Sequence, residues 1–279
     1  MNTIELTALI FLGSSLAGFL GALTGLGGGV IITPLLTLAF GVDIRYAIGA
    51  TLVSVIATSS GAAAAYVREG YSNIRIGMFL EIATTLGAVV GASAALRLPA
   101  SAIAVIFGIV LLGSAYMSRR GGRWQSATTG PPDRLAALLR MNSTFPSLEG
   151  PQSYQVRGVP GGFSLMFLAG VISGLLGIGS GAMKVIAMDQ VMRIPFKVST
   201  TTSNFMIGVT AAASAGIYLK RGYVDPGLAM PVMLGVLAGS FLGARVLPKA
   251  TSQVLRLVFG ITVAVLGIEM IFHGLTGRI

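Results

Sequence analysis

The chain has 279 residues, of which 54% are hydrophobic and 10% charged, and its mean hydropathy is +0.85. A soluble domain carries about 25% charged residues, so the composition excludes a water-soluble globule. The formal net charge of +10 would favour nucleic-acid binding in a soluble protein. Here the Lys and Arg residues lie in short loops between apolar segments, so no nucleic-acid partner is expected. With no Cys and one His, the chain offers no disulfide and no thiolate or histidine metal cluster, and we expect no cofactor.

Five apolar segments precede a polar stretch and five follow it. Their approximate bounds are 5–23, 29–41, 46–66, 75–96 and 100–118, then 161–177, 181–193, 198–219, 226–247 and 252–273. A helix of roughly 20 residues crosses the apolar layer of a membrane, and alternating strand patterns are absent. The sequence therefore predicts an all-α polytopic membrane protein in a lipid bilayer. Because the second segment of each set is short, we expect eight crossings if it dips into the membrane and ten if it spans.

The two sets of segments are copies of one unit. The run Gly25-Leu26-Gly27-Gly28-Gly29 recurs 152 positions later as Gly177-Ile178-Gly179-Ser180-Gly181. This predicts a first membrane repeat over 1–118, a cytoplasmic linker over 119–160 and a second membrane repeat over 161–279. About five segments in each repeat is an odd number, so the second repeat would be inverted relative to the first.

The distribution of basic residues predicts the orientation of the chain. Ten crossings would place thirteen of the 19 Lys and Arg residues on one side and five on the other, with Lys184 inside a segment. The richer side should be cytoplasmic, which puts the linker inside and both termini outside. Within the linker, Asp133 to Met141 indicates either a short interfacial amphipathic helix or a disordered stretch.

The glycine runs are the first candidate binding site. They fit neither a dinucleotide fingerprint nor a phosphate loop. A glycine break lets a membrane helix restart and exposes N–H groups at a helix N-terminus, which attracts anions. Close helix packing through small residues is the alternative interpretation. Because paired breaks mark transporter binding sites near the midplane, we predict a substrate site between the repeats. Its members from the runs are Gly27, Gly28, Gly29, Gly179, Ser180 and Gly181.

Four polar residues near helix starts could also contact an oxyanion. They are Thr51, Thr202, Ser203 and Asn204, whose hydroxyl and amide groups donate hydrogen bonds without placing charge in the membrane. Hydrogen bonding between helices is the alternative for each of them.

Lys184 is the strongest single candidate for a binding residue, because it lies in an apolar run three residues after Gly181. Burying a lysine near the membrane centre costs about 3 kcal/mol or more on insertion scales, so such a residue usually has a function or a partner. We predict that Lys184 neutralises a bound anion. The alternatives are an ion pair with Asp189 and a lysine that snorkels to the membrane surface.

Three acidic residues within or near the apolar segments are candidates for proton coupling, because intramembrane acids often mark proton relays. They are Glu81, Asp189 and Glu269. Asp189 could instead pair with Arg193, four residues further on.

Several stretches of the chain resemble the TauE/SafE family of sulfite and organosulfonate exporters. They are Leu16 to Pro34, Ala47 to Leu52, Arg68 to Tyr71, Val198 to Ser203 and Lys220 to Asp225. The resemblance covers both copies and implies a carrier of small anions in the cytoplasmic membrane of a bacterium or archaeon, driven by an ion gradient or by the substrate's own. The chain departs from the family pattern at Ser180 and at Ile186, which stands opposite Pro34.

The function expected from the sequence is secondary transport of a small anion, with sulfite, a sulfonate or another sulfur oxyanion as substrate, and not enzymatic activity. Two alternatives remain open: an intramembrane serine hydrolase using Ser180 with His273, and a passive anion channel. A homo-oligomer is also compatible with the sequence.

Overall fold

The computed structural model describes residues 3–24, 28–68, 72–119, 133–146, 150–246 and 252–279. The first copy contains α1 (Thr3–Thr24), α2 (Gly29–Pro34), a first π-turn (Leu35–Ala39), α3 (Ile44–Arg68), α4 (Ile74–Ala95) and α5 (Ala100–Arg119). The linker contains α6 (Arg134–Leu138), β1 (Ser143–Phe145) and β2 (Gln152–Tyr154). The second copy contains α7 (Val159–Leu176), α8 (Gly181–Ile186), a second π-turn (Ala187–Val191), α9 (Phe196–Lys220), α10 (Pro226–Val246) and α11 (Ser252–Leu275).

The repeat in the sequence is also a repeat in the helix boundaries. The starts of α2 and α8, and both ends of α3 and α9, keep the spacing of 152 residues. Each copy follows its short helix with a π-turn, although Pro34 in the first copy is replaced by Ile186 in the second. The proline is therefore not what produces the π-turn.

The fold is that of an all-α membrane protein, as predicted. Among the described residues, four helical stretches are long and apolar enough to cross a membrane: Ile4–Gly21, Ile74–Ala95, Val159–Leu176 and Pro226–Gly243. They belong to α1, α4, α7 and α10, which are two pairs of repeat counterparts. The stretch Gly29–Ala39, formed by α2 and the first π-turn, is apolar but shorter. At about 1.5 Å per residue it covers roughly half of a 30 Å apolar layer.

The helices pack in a pattern that is unchanged when the two copies are exchanged. α1 packs along α10, and its counterpart α7 packs along α4. α3 packs on its own counterpart α9, and α5 packs on α11. Such an exchange of partners is what an approximate two-fold relation between the copies produces.

Counterpart helices at the centre run in opposite directions. The start of α3 lies at the end of α9, where the rings of Tyr46 and Tyr223 are 5.3 Å apart. Further along, Ser59 of α3 lies beside Gly208 of α9. Opposite directions are expected of inverted copies, while the orientation of each copy in the membrane stays a prediction.

The two ends of the bundle carry different loops. At one end, Arg45 Nη2 donates a hydrogen bond to Leu98 O (2.7 Å), and its guanidinium lies 5.9 Å from the ring centre of Tyr223. At the other end, Asn73 Nδ2 contacts Met141 O (3.1 Å) and Tyr154 Oη (2.7 Å), so the linker covers the starts of α4 and α9. The linker and the loop between α3 and α4 therefore lie at one end, as the two intervening helices α4 and α5 require.

The described part of the linker forms a short helix and a hairpin. The expected helix forms as α6, which is shorter than Asp133 to Met141 and is capped by Asp133 Oδ1 (2.9 Å from Leu135 N). A β-hairpin follows, in which Thr144 lies opposite Ser153, and this element was not predicted. Phe145 of the hairpin is buried in the same apolar cluster as Met141. Residues 120–132 and 147–149 of the linker lie outside the described ranges.

Glycines allow the closest helix contacts. In α4, a Cβ at Gly87 or Gly91 would overlap the carbonyl oxygens of Phe167 and Val171 on α7. Likewise, a Cβ at Gly170 or Gly174 of α7 would overlap carbonyl oxygens of α4. Small residues permit such backbone approach inside a membrane, where packing drives helix association.

We predict that Gly91→Ala destabilises the protein by about 1–3 kcal/mol, because the added methyl group must push α7 away from α4. The measurement is the melting temperature in detergent. Gly113→Ala is the matched control, since nothing lies within 4 Å of a Cβ placed at Gly113. Equal melting temperatures for the two variants would contradict the close approach of α4 and α7.

A second prediction concerns topology. In this cysteine-free chain, Thr276→Cys should react with an impermeant maleimide in intact cells, because both termini are predicted outside. Thr144→Cys in the exposed part of the hairpin should react only after the membrane is opened. Labelling of both variants from the same side would refute the ten-crossing arrangement.

Candidate functional site

The second glycine run forms a tight, left-handed turn between α7 and α8. Gly177 and Gly179 both have φ of +70°, and Ser180 has φ of +43°. A left-handed conformation is strained for a serine, and the Oγ of Ser180 is buried without a hydrogen-bond partner. In the first run, Gly28 is right-handed with φ of −64°, and Gly27 lies outside the described residues. The two breaks therefore occupy equivalent positions with different backbone geometry.

The two breaks meet between the copies. A Cβ at Gly29, where α2 begins, would lie 3.5 Å from the carbonyl oxygen of Gly177 and 3.1 Å from Thr51 Cγ2. A Cβ at Gly179 would lie 2.9 Å from Ile207 Cγ2 on α9. The starts of α2 and α8 are thus brought together beside α3 and α9.

A small cavity lies beside Ser180. Its volume is about 20 Å³, roughly the space for one water molecule. The walls are mainly apolar, and two hydroxyl groups line it, those of Ser114 and Ser180. Ser114 Oγ already donates to Val110 O (2.9 Å), so Ser180 supplies the unused polar atom.

A charged cluster lies on three helices from both copies. Lys184 of α8 is fully buried, and its Nζ donates a hydrogen bond to Thr210 Oγ1 of α9 (2.5 Å). Thr210 Oγ1 in turn lies 2.6 Å from Oε1 of Glu81, on α4 of the first copy. Thr85 Oγ1 also donates to this oxygen (3.1 Å). Glu81 is only 6% exposed, and its Oε2 is buried without a hydrogen-bond partner.

The structure gives Lys184 a different partner from the one considered in the sequence. Its hydrogen bond is to Thr210 rather than to Asp189, which is half-buried on the second π-turn. The positive charge that acts on Asp189 is Arg193. Sequence spacing suggested Asp189 because it is near in the chain, whereas Glu81 is 103 residues away from Lys184.

The hydroxyl groups near the helix starts already bind protein groups. Thr51 Oγ1 lies 2.9 Å from Thr33 Oγ1 and 2.7 Å from Ala47 O. Thr202 Oγ1 accepts a hydrogen bond from Asn73 N (3.0 Å). In this conformation the hydroxyl of Thr51 joins α3 to α2 through Thr33, and that of Thr202 joins α9 to the residue before α4, so both form the hydrogen bonds between helices that the sequence left open as the alternative.

Ser203 and Asn204 lie next to these residues on α9. Ser203 Oγ donates to Gly181 O (3.2 Å), so it ties the start of α8 to α9. Asn204 is half-buried. Ser203 thus lies at the predicted site, where it supports the break.

Glu269 and His273 lie at the far end of α11 from the glycine breaks. His273 Nδ1 is 3.4 Å from Glu269 Oε2, and the Glu269 side chain is 52% exposed. The neighbouring Gly274 packs on Ser101 at the start of α5, whereas the cavity beside Ser180 reaches α5 at Ser114. These two points on α5 are roughly 20 Å apart. His273 therefore cannot activate Ser180, and the hydrolase arrangement is absent from the described part of the chain.

Apolar helices of membrane length, broken at equivalent positions and meeting around buried polar groups, define a multi-pass membrane protein with the architecture of a transporter. The chain belongs to the sulfite exporter TauE/SafE family, whose model matches residues 10–270. The protein is accordingly a membrane transporter and not an enzyme. Its substrate is a small molecule, which it moves across a lipid bilayer.

Relatives of similar length carry the same general description. The chain is 27% identical to the probable membrane transporter protein YunE of Bacillus subtilis, over 93% of this chain and 95% of the relative. It is 27% identical to YdhB of the same organism, also a probable membrane transporter protein, over 95% and 98% of the two chains. A probable membrane transporter protein of Xylella fastidiosa is 27% identical over 95% of each chain. No solved structure gives a significant match.

The charged cluster predicts non-additive effects of mutation. Lys184→Met and Glu81→Gln should each lower the melting temperature, because removing one partner of a buried charge pair costs about 3 kcal/mol or more. The double variant should lose much less than the sum, since it leaves no uncompensated charge. Glu269→Gln, at the exposed end of α11, is the control. Additive losses in the double variant would show that Lys184 and Glu81 do not interact.

Proposed function

We propose that this protein is a secondary carrier of small anions, and that sulfur oxyanions such as sulfite and sulfonates are its substrate class. The anion is held where α2 and α8 begin, between the two repeats and near the midplane of the membrane. The observation that carries the proposal is the complete burial of Lys184, one helical turn into α8. A lysine is expensive to keep in apolar surroundings, so its presence at the meeting point of the breaks favours a role toward a negative charge.

Uncharged donors at the same place support an anion site. Ser180 Oγ is buried beside the cavity and has no hydrogen-bond partner. A buried hydroxyl without a partner loses free energy that a ligand oxygen can restore. A sulfite or sulfonate group has three oxygens, so it can accept from Lys184, from Ser180 and from a backbone N–H group together.

The cavity in this conformation is smaller than such an anion. It has room for about one water molecule, and Lys184 is held by Thr210 on another face of α8. Binding of the anion therefore requires this cavity to widen. Transporters built from repeats open their site by moving one repeat or bundle against the other, and the contact of Gly29 with Gly177 lies between such units.

Flux into proteoliposomes tests the proposal. Purified protein should give saturable uptake of labelled sulfite and should show counterflow, in which internal unlabelled sulfite accelerates entry of the label. Non-saturating flux without counterflow would indicate a channel instead. Transport of acetate or phosphate with no response to sulfite, thiosulfate or methanesulfonate would refute the substrate class.

We predict that Ser180→Gly weakens the apparent affinity for the anion by roughly tenfold or more, because a hydrogen bond to a charged group contributes about 1.5–3 kcal/mol. The same change should leave the melting temperature unchanged or raise it, since glycine adopts the left-handed conformation without strain. Ser240→Ala on α10 is the control, because its Oγ bonds within its own helix to Leu237 O (3.0 Å). Unchanged affinity in Ser180→Gly would remove Ser180 from the site.

A further inference from the structure

We propose that Glu81 carries a proton that travels with the anion, so that the transporter moves the two together. This inference deepens the proposed function and rests on it, since Lys184 is taken as the charge that receives the anion. Its basis is the bridge through Thr210, which joins Lys184 of the second copy to Glu81 of the first.

Charge balance in the buried cluster gives the coupling. Without an anion, the positive charge of Lys184 is balanced by the carboxylate of Glu81. An anion that binds Lys184 leaves this carboxylate uncompensated in apolar surroundings, which is strongly unfavourable. A proton on Glu81 restores a neutral cluster of lysine, anion and carboxylic acid. Each of the two ligands therefore strengthens the binding of the other.

The two oxygens of Glu81 have different surroundings. Oε1 accepts hydrogen bonds from Thr210 and Thr85, whereas Oε2 is buried and has no partner. The incoming proton thus forms its O–H bond at Oε2. It comes from water on one side of the membrane and returns to water on the other side when the anion leaves. Glu81 is seven residues from the start of α4 at Ile74, roughly 10 Å from the end that the linker covers.

Thr210 can follow the change in charge without losing a hydrogen bond. Its hydroxyl has a single proton and two acceptors within reach, Glu81 Oε1 at 2.6 Å and Met206 O at 2.9 Å. It donates to Glu81 while the carboxylate is charged and can turn to Met206 after protonation. In both states its oxygen remains available to Lys184.

The elements packed around the cluster also carry other ionisable groups. They are Arg75 at the start of α4, Tyr154 of the linker, Lys197, Tyr218 and Lys220 on α9, and Asp189 on the second π-turn, while α7 carries none. Asp189 interacts with Arg193, and Tyr154 bonds to Asn73. Glu81 is the acidic group whose charge acts on Lys184.

The test compares proton-driven accumulation with counterflow in proteoliposomes that contain the full chain. The outside solution is held about one pH unit below the inside, and uptake of labelled sulfite is measured. One proton per monovalent anion supports about tenfold accumulation at this gradient, equivalent to about 1.4 kcal/mol. Uptake by protein-free liposomes is subtracted, because protonated sulfite crosses lipid unaided.

Glu81→Gln is the decisive variant, since glutamine resembles the protonated glutamic acid. We expect it to lose the roughly tenfold accumulation while counterflow stays measurable, because exchange of anions needs no proton release. Glu269→Gln, on the exposed part of α11, should keep both activities and serves as the matched carboxylate control.

Two outcomes would overturn proton coupling, and a third would overturn the proposed function. Accumulation by Glu81→Gln equal to that of the wild type would overturn proton coupling and leave the carrier intact. Loss of counterflow in a folded Glu81→Gln protein would also overturn it, because the neutral side chain should favour anion binding. Absence of counterflow in the wild type would instead overturn the proposed function.

If Glu81→Gln fails to insert into the membrane, a second pair of variants tests the proposal. Thr210→Val removes the bridging hydroxyl and should reduce accumulation, and Thr210→Ser should restore it. Equal accumulation by these two variants would overturn the proposal.

Discussion

The centre of the molecule depends on the interactions that stabilise the buried positive charge of Lys184. An ammonium group inside apolar surroundings needs a hydrogen-bond acceptor and a balancing charge, and the two come from different helices. Thr210 of α9 supplies the acceptor and Glu81 of α4 supplies the charge. Because α8 and α9 belong to the second copy and α4 to the first, this charge balance adds to the helix packing that joins the two copies.

The repeat separates the scaffold from the candidate site. Positions that keep their character in both copies build the frame: the short helices, the π-turns and the central pair α3 and α9. The two charged residues of the cluster break the repeat, whereas its threonine does not. Ile32, Thr58 and Met233 stand at the positions equivalent to Lys184, Thr210 and Glu81. The frame is thus nearly symmetric, while the charged pair of Lys184 and Glu81 occurs without a repeat counterpart.

Sequence periodicity and spacing were sufficient to predict the helical frame but not the partners within the charged cluster. The offset of 152 residues anticipated equivalent helix starts, since the same pattern of glycine and apolar residues folds the same way twice. The partner of Lys184 could not be found by spacing, because Glu81 lies 103 residues away at a position that is not its repeat equivalent. The hairpin was not predicted, because strands of three residues are too short to show an alternation of apolar and polar residues. The sequence identified these hydroxyl groups as candidates, but only their geometry in the structure shows that Thr51 and Thr202 bind backbone atoms.

α9 connects the covered end of the bundle with the break before α8. Two neighbouring residues on this helix bind different elements: Thr202 accepts from Asn73 N at the start of α4, and Ser203 donates to Gly181 O at the start of α8. Asn73 also contacts the linker through Tyr154 Oη (2.7 Å). Successive residues on a helix point about 100° apart, so rotation or sliding of α9 changes both contacts at once. The hydrogen bonds of α9 therefore link the end of the bundle that the linker covers to the backbone beside Ser180.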